Sequence, residues 1–225
     1  MALILSEEQK LLKDSATEFL AMNAPVEQFR DLRDNNYKAF DESLWTKIVE
    51  MGWTALTIPE EFDGLAFGYV GLGQILEEMG KNLTKAPLFS SIVLGANVLT
   101  HSKNQELKKE WLPQLMEGTK RVALALDEHT YFDPTAIATT AKSTANGYTL
   151  SGKKTMIIDG ASADAFIVVA KTEDEELALF IVAADLKGIT VTSDVLLDAG
   201  TYATVVFDQV AVTATNRISG AGEGA

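Results

Sequence analysis

The stretch Gln114-Leu115-Met116-Glu117-Gly118-Thr119-Lys120-Arg121-Val122-Ala123-Leu124-Ala125-Leu126 carries the chain from one periodicity to another. Up to Gly118 apolar residues recur at helical spacing; from Arg121 onward they gather in short β-branched runs separated by turn residues. The pattern predicts an α+β chain. An all-helical domain occupies 1–119, a small antiparallel β-barrel or sandwich 120–216, and a small, flexible segment over 217–225 reads as a linker toward a further domain that is not present.

Working back from Gly118, Leu107, Trp111, Leu112, Leu115 and Met116 form one helical stripe, with Pro113 expected to restart or kink the helix. Leu88, Phe89, Ile92, Val93, Ala96 and Leu99 make a helix apolar around much of its circumference, the mark of a central element or a subunit contact. Leu72, Ile75, Leu76 and Met79 give another, stopped by Gly80, and Leu44, Trp45, Ile48 and Val49 a further one, opened by Asp41 and closed by Gly52. Ser6 and Gln9 have capping-box spacing, followed by a stripe of Leu11, Leu12, Ala16, Phe19 and Leu20.

Working forward, strands are expected at Val122–Leu126, Ala138–Ala145, Tyr148–Leu150, Lys154–Ile158, Ala165–Lys171, Leu177–Ala183, Ile189–Thr192 and Ala203–Val212. Asn146-Gly147 suggests a type I′ hairpin and Ser151-Gly152 a second turn. Such dense strands without long helices between them favour an antiparallel barrel or sandwich over a parallel sheet.

The net charge of −13 argues against nucleic acid and anionic membrane as partners, because phosphate binding rests on Lys and Arg. The absence of Cys removes disulfides, thiolate nucleophiles and Cys-based metal sites, and two distant histidines make a His-rich metal site implausible. No G-x-G-x-x-G or Walker loop occurs. The first residues lack the basic segment of a secretory signal, and no apolar run approaches the ~20 residues of a membrane helix, so a cytoplasmic protein is expected.

Several segments stand in a telling order: Ser6-Glu7-Glu8-Gln9, Met51-Gly52-Trp53, Ile58-Pro59-Glu60-Glu61-Phe62-Asp63-Gly64 and Ile75-Leu76-Glu77-Glu78-Met79-Gly80. They continue with Leu150-Ser151-Gly152-Lys153-Lys154, Asp159-Gly160-Ala161-Ser162-Ala163-Asp164, Val168-Val169-Ala170-Lys171 and Val206-Phe207-Asp208-Gln209-Val210. Together they resemble the acyl-CoA dehydrogenase family, whose N-terminal helical and middle β domains precede a C-terminal helical bundle absent from this sequence. The resemblance implies a flavoenzyme that oxidises the Cα–Cβ bond of an acyl-CoA thioester. A Glu base removes the α-proton, FAD takes the hydride, and an electron-transferring flavoprotein collects the electrons. It also implies a homo- or heterotetramer. The base normally comes from the missing bundle, so no catalytic residue is nominated, and Glu60, Glu77 and Glu128 are not promoted to that role.

The resemblance places flavin contacts at Leu124, Leu126, Asp127, Met156 and Ile158. Where the family has Thr-Glu-Pro at the end of the first middle-domain strand, this chain has Asp127-Glu128-His129. Where it has an aromatic residue followed by Ile-Thr-Asn, this chain has Met156-Ile157-Ile158-Asp159. A hydroxyl is thus replaced by a carboxylate at Asp127, which is unfavourable beside a reduced flavin unless it turns away, and another is lost at Ile158. Backbone N–H groups at Leu126, Asp127 and Ile158 survive such changes. The departures resemble a divergent bacterial branch that handles bulky, steroid-type acyl-CoAs, some of whose members pair two different chains. Three classes therefore stay open: an acyl-CoA dehydrogenase, a non-catalytic partner subunit, and a flavin oxidase or monooxygenase of the same fold.

The remaining candidates read as structural. His129 and His101 are expected in loops or at a helix end, Lys153 and Lys154 at a solvated strand edge, and Glu173-Asp174-Glu175-Glu176 in a solvated hairpin loop. Tyr131 and Phe132 either line a cleft or pack under their loop.

Overall fold

A computed structural model describes residues 4–35, 37–198 and 200–219. Helix α1 (Glu7–Asn23) starts at a capping box: Ser6 Oγ accepts from the Gln9 N–H at 3.2 Å and Gln9 Oε1 from the Ser6 N–H at 3.0 Å. Ala16 and Leu20 are buried, but Leu11 is 69% exposed and leaves the expected stripe. Leu11 and Leu12 are adjacent, about 100° apart around the helix, so only Leu12 reaches the core. Helix α2 (Val26–Asp34) was not foreseen; it buries only Leu32, too few apolar residues to write a periodicity. Helix α3 (Glu42–Glu50) is capped by Asp41, whose Oδ1 accepts from the Leu44 N–H at 2.8 Å, and it buries Leu44, Trp45 and Ile48. Helix α4 (Tyr69–Lys81) buries Leu72, Ile75 and Met79 and runs one residue past Gly80.

A π-helix (Phe89–Ala96) continues as α5 (Asn97–His101), placing Leu88, Ile92, Ala96 and Leu99 in the centre of the helical core. Helix α6 (Gln105–Met116) does not restart at Pro113: the missing N–H costs one bond without ending the helix. Gly118 then takes φ +66°, and its carbonyl oxygen accepts from Trp45 Nε1 at 3.0 Å.

The second half is a curled sheet of β1 (Val122–Ala125), β2 (Thr140–Thr144), β3 (Gly147–Ile158), β4 (Ala165–Thr172), β5 (Leu177–Ala183), β6 (Ile189–Val195) and β7 (Thr201–Thr213). Its order is β1-β4-β2-β3-β7-β6, with β5 on the other edge of β4. The hairpin pairings are antiparallel, but β1 and β2 both pair β4 in parallel, at 165–168 and 171–172. The sheet is mainly antiparallel, as expected, and its parallel pairing is confined to β4, where the long 126–139 connection brings β2 in beside it in the same sense as β1. The central strands bury both faces. Val122, Ala165 and Ile167 join the helical core, while Ala123, Ala125, Phe166 and Val168 join a second core with Leu150, Ile157, Phe180 and Phe207. Hence Val122–Leu126 reads as a continuous apolar run.

Strand β3 replaces two expected strands. Ser151-Gly152 is a register shift against β7 rather than a turn, because Leu150 and Gly152 straddle an irregularity within one strand. The β2–β3 loop is Ala145-Asn146 with Thr144 paired to Gly147, and neither loop residue has the positive φ that a type I′ turn demands. Of the stretch read as linker, Arg217 bridges Phe180, and Ile218 is 3% exposed with its N–H donating to the Leu179 carbonyl oxygen; residues 220–225 lie outside the described residues.

Candidate functional site

Strand β1 ends at Ala125, and the chain beyond it lies along β3. The Asp127 carbonyl oxygen accepts from the Thr155 N–H at 2.8 Å, and the His129 carbonyl oxygen from Thr155 Oγ1 at 3.2 Å. Leu126 and Asp127 are thereby held against the Lys154–Thr155 stretch of β3, immediately before Met156, with Ile158 at the end of the same strand. Leu124 packs against the helical core beneath them.

Met156 sits in the register shift between Lys154 and Ile157, with φ +53°, and its side chain is 40% exposed. The Asp159 N–H donates to the Thr201 carbonyl oxygen at 2.7 Å. Alternation along the antiparallel ladder then turns the Ile158 N–H away from β7. Asp127 Oδ1 is buried without a hydrogen-bond partner.

Sequence reasoning missed what holds this corner. Lys154, expected at a solvated edge, is fully buried and ion-paired to Glu128 at 2.7 Å. Its Nζ also donates to the Leu126 carbonyl oxygen at 2.9 Å. Glu128 accepts in addition from the N–H groups of Ala138 at 2.7 Å and Thr139 at 2.9 Å. Burial pushes the Lys154 pKa down against the pull of Glu128. Burial raises that of Glu128, but hydrogen bonds from Lys154 and the 138–139 segment outweigh it and hold the carboxyl below its ordinary value. A signal existed: Lys154 stands four residues after the buried Leu150, on the same face by strand alternation.

The π-helix ties the helical layer to the same corner. Ser90 Oγ donates to Asp159 Oδ2 at 2.7 Å, Thr201 Oγ1 to Asp159 Oδ1 at 3.2 Å, and Ser91 Oγ accepts from the Val122 N–H at 3.2 Å. Burial raises the Asp159 pKa; the two hydroxyls and the charge of Lys85 oppose it.

The other candidates are peripheral. His129 is exposed and stacks on Tyr131 with ring centroids 5.2 Å apart. Tyr131 and Phe132 are 63% and 74% exposed, which removes the alternative of packing under their loop. His101 ends α5 in the open, and 173–176 form an exposed β4–β5 loop, as expected. Among the described residues no group of three or more His, Cys, Asp or Glu side chains could hold a metal, and no helix is long and apolar enough to cross a membrane. Clefts of about 420 Å³, beside Lys142 and Lys171, and about 540 Å³, beside Trp111 and Asp185, include none of the five predicted positions.

Residues 6–119 match the family model of the acyl-CoA dehydrogenase N-terminal domain, and 124–210 that of the acyl-CoA dehydrogenase middle domain. Among curated proteins the chain is 31% identical over 187 residues to acyl-CoA dehydrogenase FadE27 of Mycobacterium tuberculosis, covering 83% of this chain and 49% of that protein. Among solved structures it is similar to a chain of the ChsE4–ChsE5 complex from Mycobacterium tuberculosis, with TM-score 0.88 and 28% identity over 98% of this chain and 59% of that one. It is also similar to an acyl-CoA dehydrogenase complexed with FAD from Bacillus anthracis, with TM-score 0.86 and 26% identity over 98% of this chain and 38% of that one. The chain thus spans about half the length of the curated relative it matches.

Proposed function

This chain belongs to the acyl-CoA dehydrogenase family, and we propose on that premise that the protein is a FAD-dependent acyl-CoA dehydrogenase, oxidising the Cα–Cβ bond of an acyl-CoA thioester. In this reading 1–119 and 120–216 are its first two domains, it works as a homo- or heterotetramer in the cytoplasm, and it passes electrons to an electron-transferring flavoprotein. The observation that carries the reading is the meeting of the β1 exit with the β3 register shift, which gathers Leu126, Asp127, Met156 and Ile158 at one partly open corner.

FAD, when bound, supplies the hydride acceptor. The residues at this corner suit it. Backbone N–H groups of Leu126, Asp127 and Ile158 would serve as donors to ring acceptors, and the exposed Met156 thioether as a polarizable apolar surface. The Asp127 carboxylate, whose Oδ1 is buried without a partner, would disfavour the flavin's ring carbonyls unless it turned away from them. Leu124 supports the strand from the helical side. Glu128, next in the chain to Asp127, is already bound by Lys154 and two backbone donors and is not free to act as base. The family resemblance puts the base in a C-terminal bundle.

The test is anaerobic titration of the whole flavin-loaded protein with straight-chain, branched and bulky acyl-CoAs. Loss of the visible flavin absorbance with one of them is the expected result, and no change with any refutes the activity. A second reading, a flavin-free partner subunit, is favoured by the Asp127 carboxylate and the missing hydroxyl at Ile158. It predicts a protein that purifies colourless and associates stably with a flavin-bearing chain.

A further inference from the structure

Three segments distant in sequence converge on one buried ammonium. Lys154 Nζ, fully buried, donates to the Leu126 carbonyl oxygen at 2.9 Å and to Glu128 Oε1 at 2.7 Å, and Glu128 in turn holds the Ala138 and Thr139 N–H groups. The next residue, Thr155, holds the Asp127 carbonyl oxygen.

Stability alone does not call for charges here, since a buried ion pair can commonly be exchanged for apolar residues without loss. An apolar pair cannot, however, direct a hydrogen bond at the Leu126 carbonyl. In a trans peptide the C=O and the following N–H point in opposite directions. Drawing the Leu126 carbonyl inward to Lys154 therefore aims the Asp127 N–H outward, away from the ammonium.

We propose that Lys154 and Glu128 are positioning residues for the cofactor edge: they fix the orientation of the Leu126–Asp127 peptide against the Met156–Ile158 segment, so that the donors of both segments keep one spacing. The proposal rests on the flavin reading of the preceding subsection and deepens it.

The decisive variant is the double substitution Glu128→Leu with Lys154→Met, which removes both charges together and leaves neither buried alone. Hydrogen–deuterium exchange is followed on peptides covering 124–129 and, as an internal control, 166–170. FAD affinity and the visible spectrum of the bound flavin are measured on the same protein. In the FAD-loaded protein, exchange at 126–127, whose N–H groups then donate to the cofactor, is expected to rise about tenfold or more relative to the control, the scale of a lost hydrogen bond to a charged group. FAD affinity should fall by a similar factor and the flavin spectrum should shift.

Should the double variant fail to fold, Glu128→Gln keeps an acceptor for Lys154 but removes its counter-charge. It is expected to show the same changes at smaller size. Unchanged exchange, affinity and spectrum in a protein that binds FAD overturn the positioning role alone. A wild-type protein that takes up no FAD overturns the flavin reading, and with it the purpose assigned to the pair.

Discussion

Replacing Ser90 by Ala tests how the helical layer is fastened to the β3 end. Ser90 is 1% exposed, and its hydroxyl has one proton for two acceptors, Asp159 Oδ2 at 2.7 Å and the Pro87 carbonyl oxygen at 3.2 Å. The shorter contact, to a carboxylate, takes the proton while Asp159 is ionised. Losing a hydrogen bond to a buried charged group costs about 1.5–3 kcal/mol, or roughly 3–12 °C in Tm for a chain of this size. Burial raises the Asp159 pKa, so the folded protein holds this proton more tightly than the unfolded chain does. Stability therefore declines as pH rises from the unfolded value through the folded one, and above that window the ionised carboxylate relies fully on Ser90 and Thr201. Below it, protonated Asp159 can donate to Ser90 Oγ while Ser90 turns to Pro87. The Ser90→Ala penalty should accordingly shrink as pH falls through the Asp159 titration. It should also be smaller in an Asp159→Asn background, which retains only a neutral acceptor. Thermal melts of the four proteins of this cycle across pH are the assay. A penalty that is equal in both backgrounds and flat with pH would refute a charge-assisted bond between Ser90 and Asp159.

Lys154→Met alone leaves Glu128 buried without its counter-ion and should destabilise by about 3–5 kcal/mol in chemical denaturation; a cost below about 1 kcal/mol, the range of exposed pairs, would mean that the pair is hydrated. A Cβ at Gly95 would lie 2.0 Å from Val122 Cγ2, so Gly95→Ala should cost about 1–3 kcal/mol by overpacking, with Val122→Ala restoring much of it; failure of that rescue would place the strain elsewhere. Leu20→Ala should cost about 2–5 kcal/mol and Leu11→Ala under about 0.5 kcal/mol, and comparable denaturation midpoints for the two would contradict the placement of α1. Asp127→Thr, which restores the family's hydroxyl, should raise the flavin content of the purified protein; an unchanged flavin-to-protein ratio would detach Asp127 from the cofactor.

The sequence by itself determined what is decided within a few residues. Ser6 with Gln9 and Asp41 with Leu44 name their helix starts because cap and partner are three residues apart. Gly118 marks the end of the helical half because the left-handed turn there is a property of one residue. The same local logic located the acidic β4–β5 loop, and the segments that resemble the family are contiguous runs readable in place. It failed where a local rule met a distant partner. Ser151-Gly152 became a register shift because β7 pairs across it, and β1 and β2 run parallel to β4 because a long connection returns the chain. The five predicted positions were chosen from two separate motifs. Their meeting was decided by Thr155 reaching the Asp127 and His129 carbonyls, and the environment of that corner by pairings across 26 and 69 residues, Lys154 with Glu128 and Ser90 with Asp159. A charge in isolation favours water, so Lys154 reads as a solvated edge residue until the fold brings up the groups that satisfy it. Those groups become neighbours only when the β1 exit lies along β3, and Ser90 meets Asp159 only when the helical layer and the sheet close on each other, which is why the tertiary structure alone decided the interior of that corner.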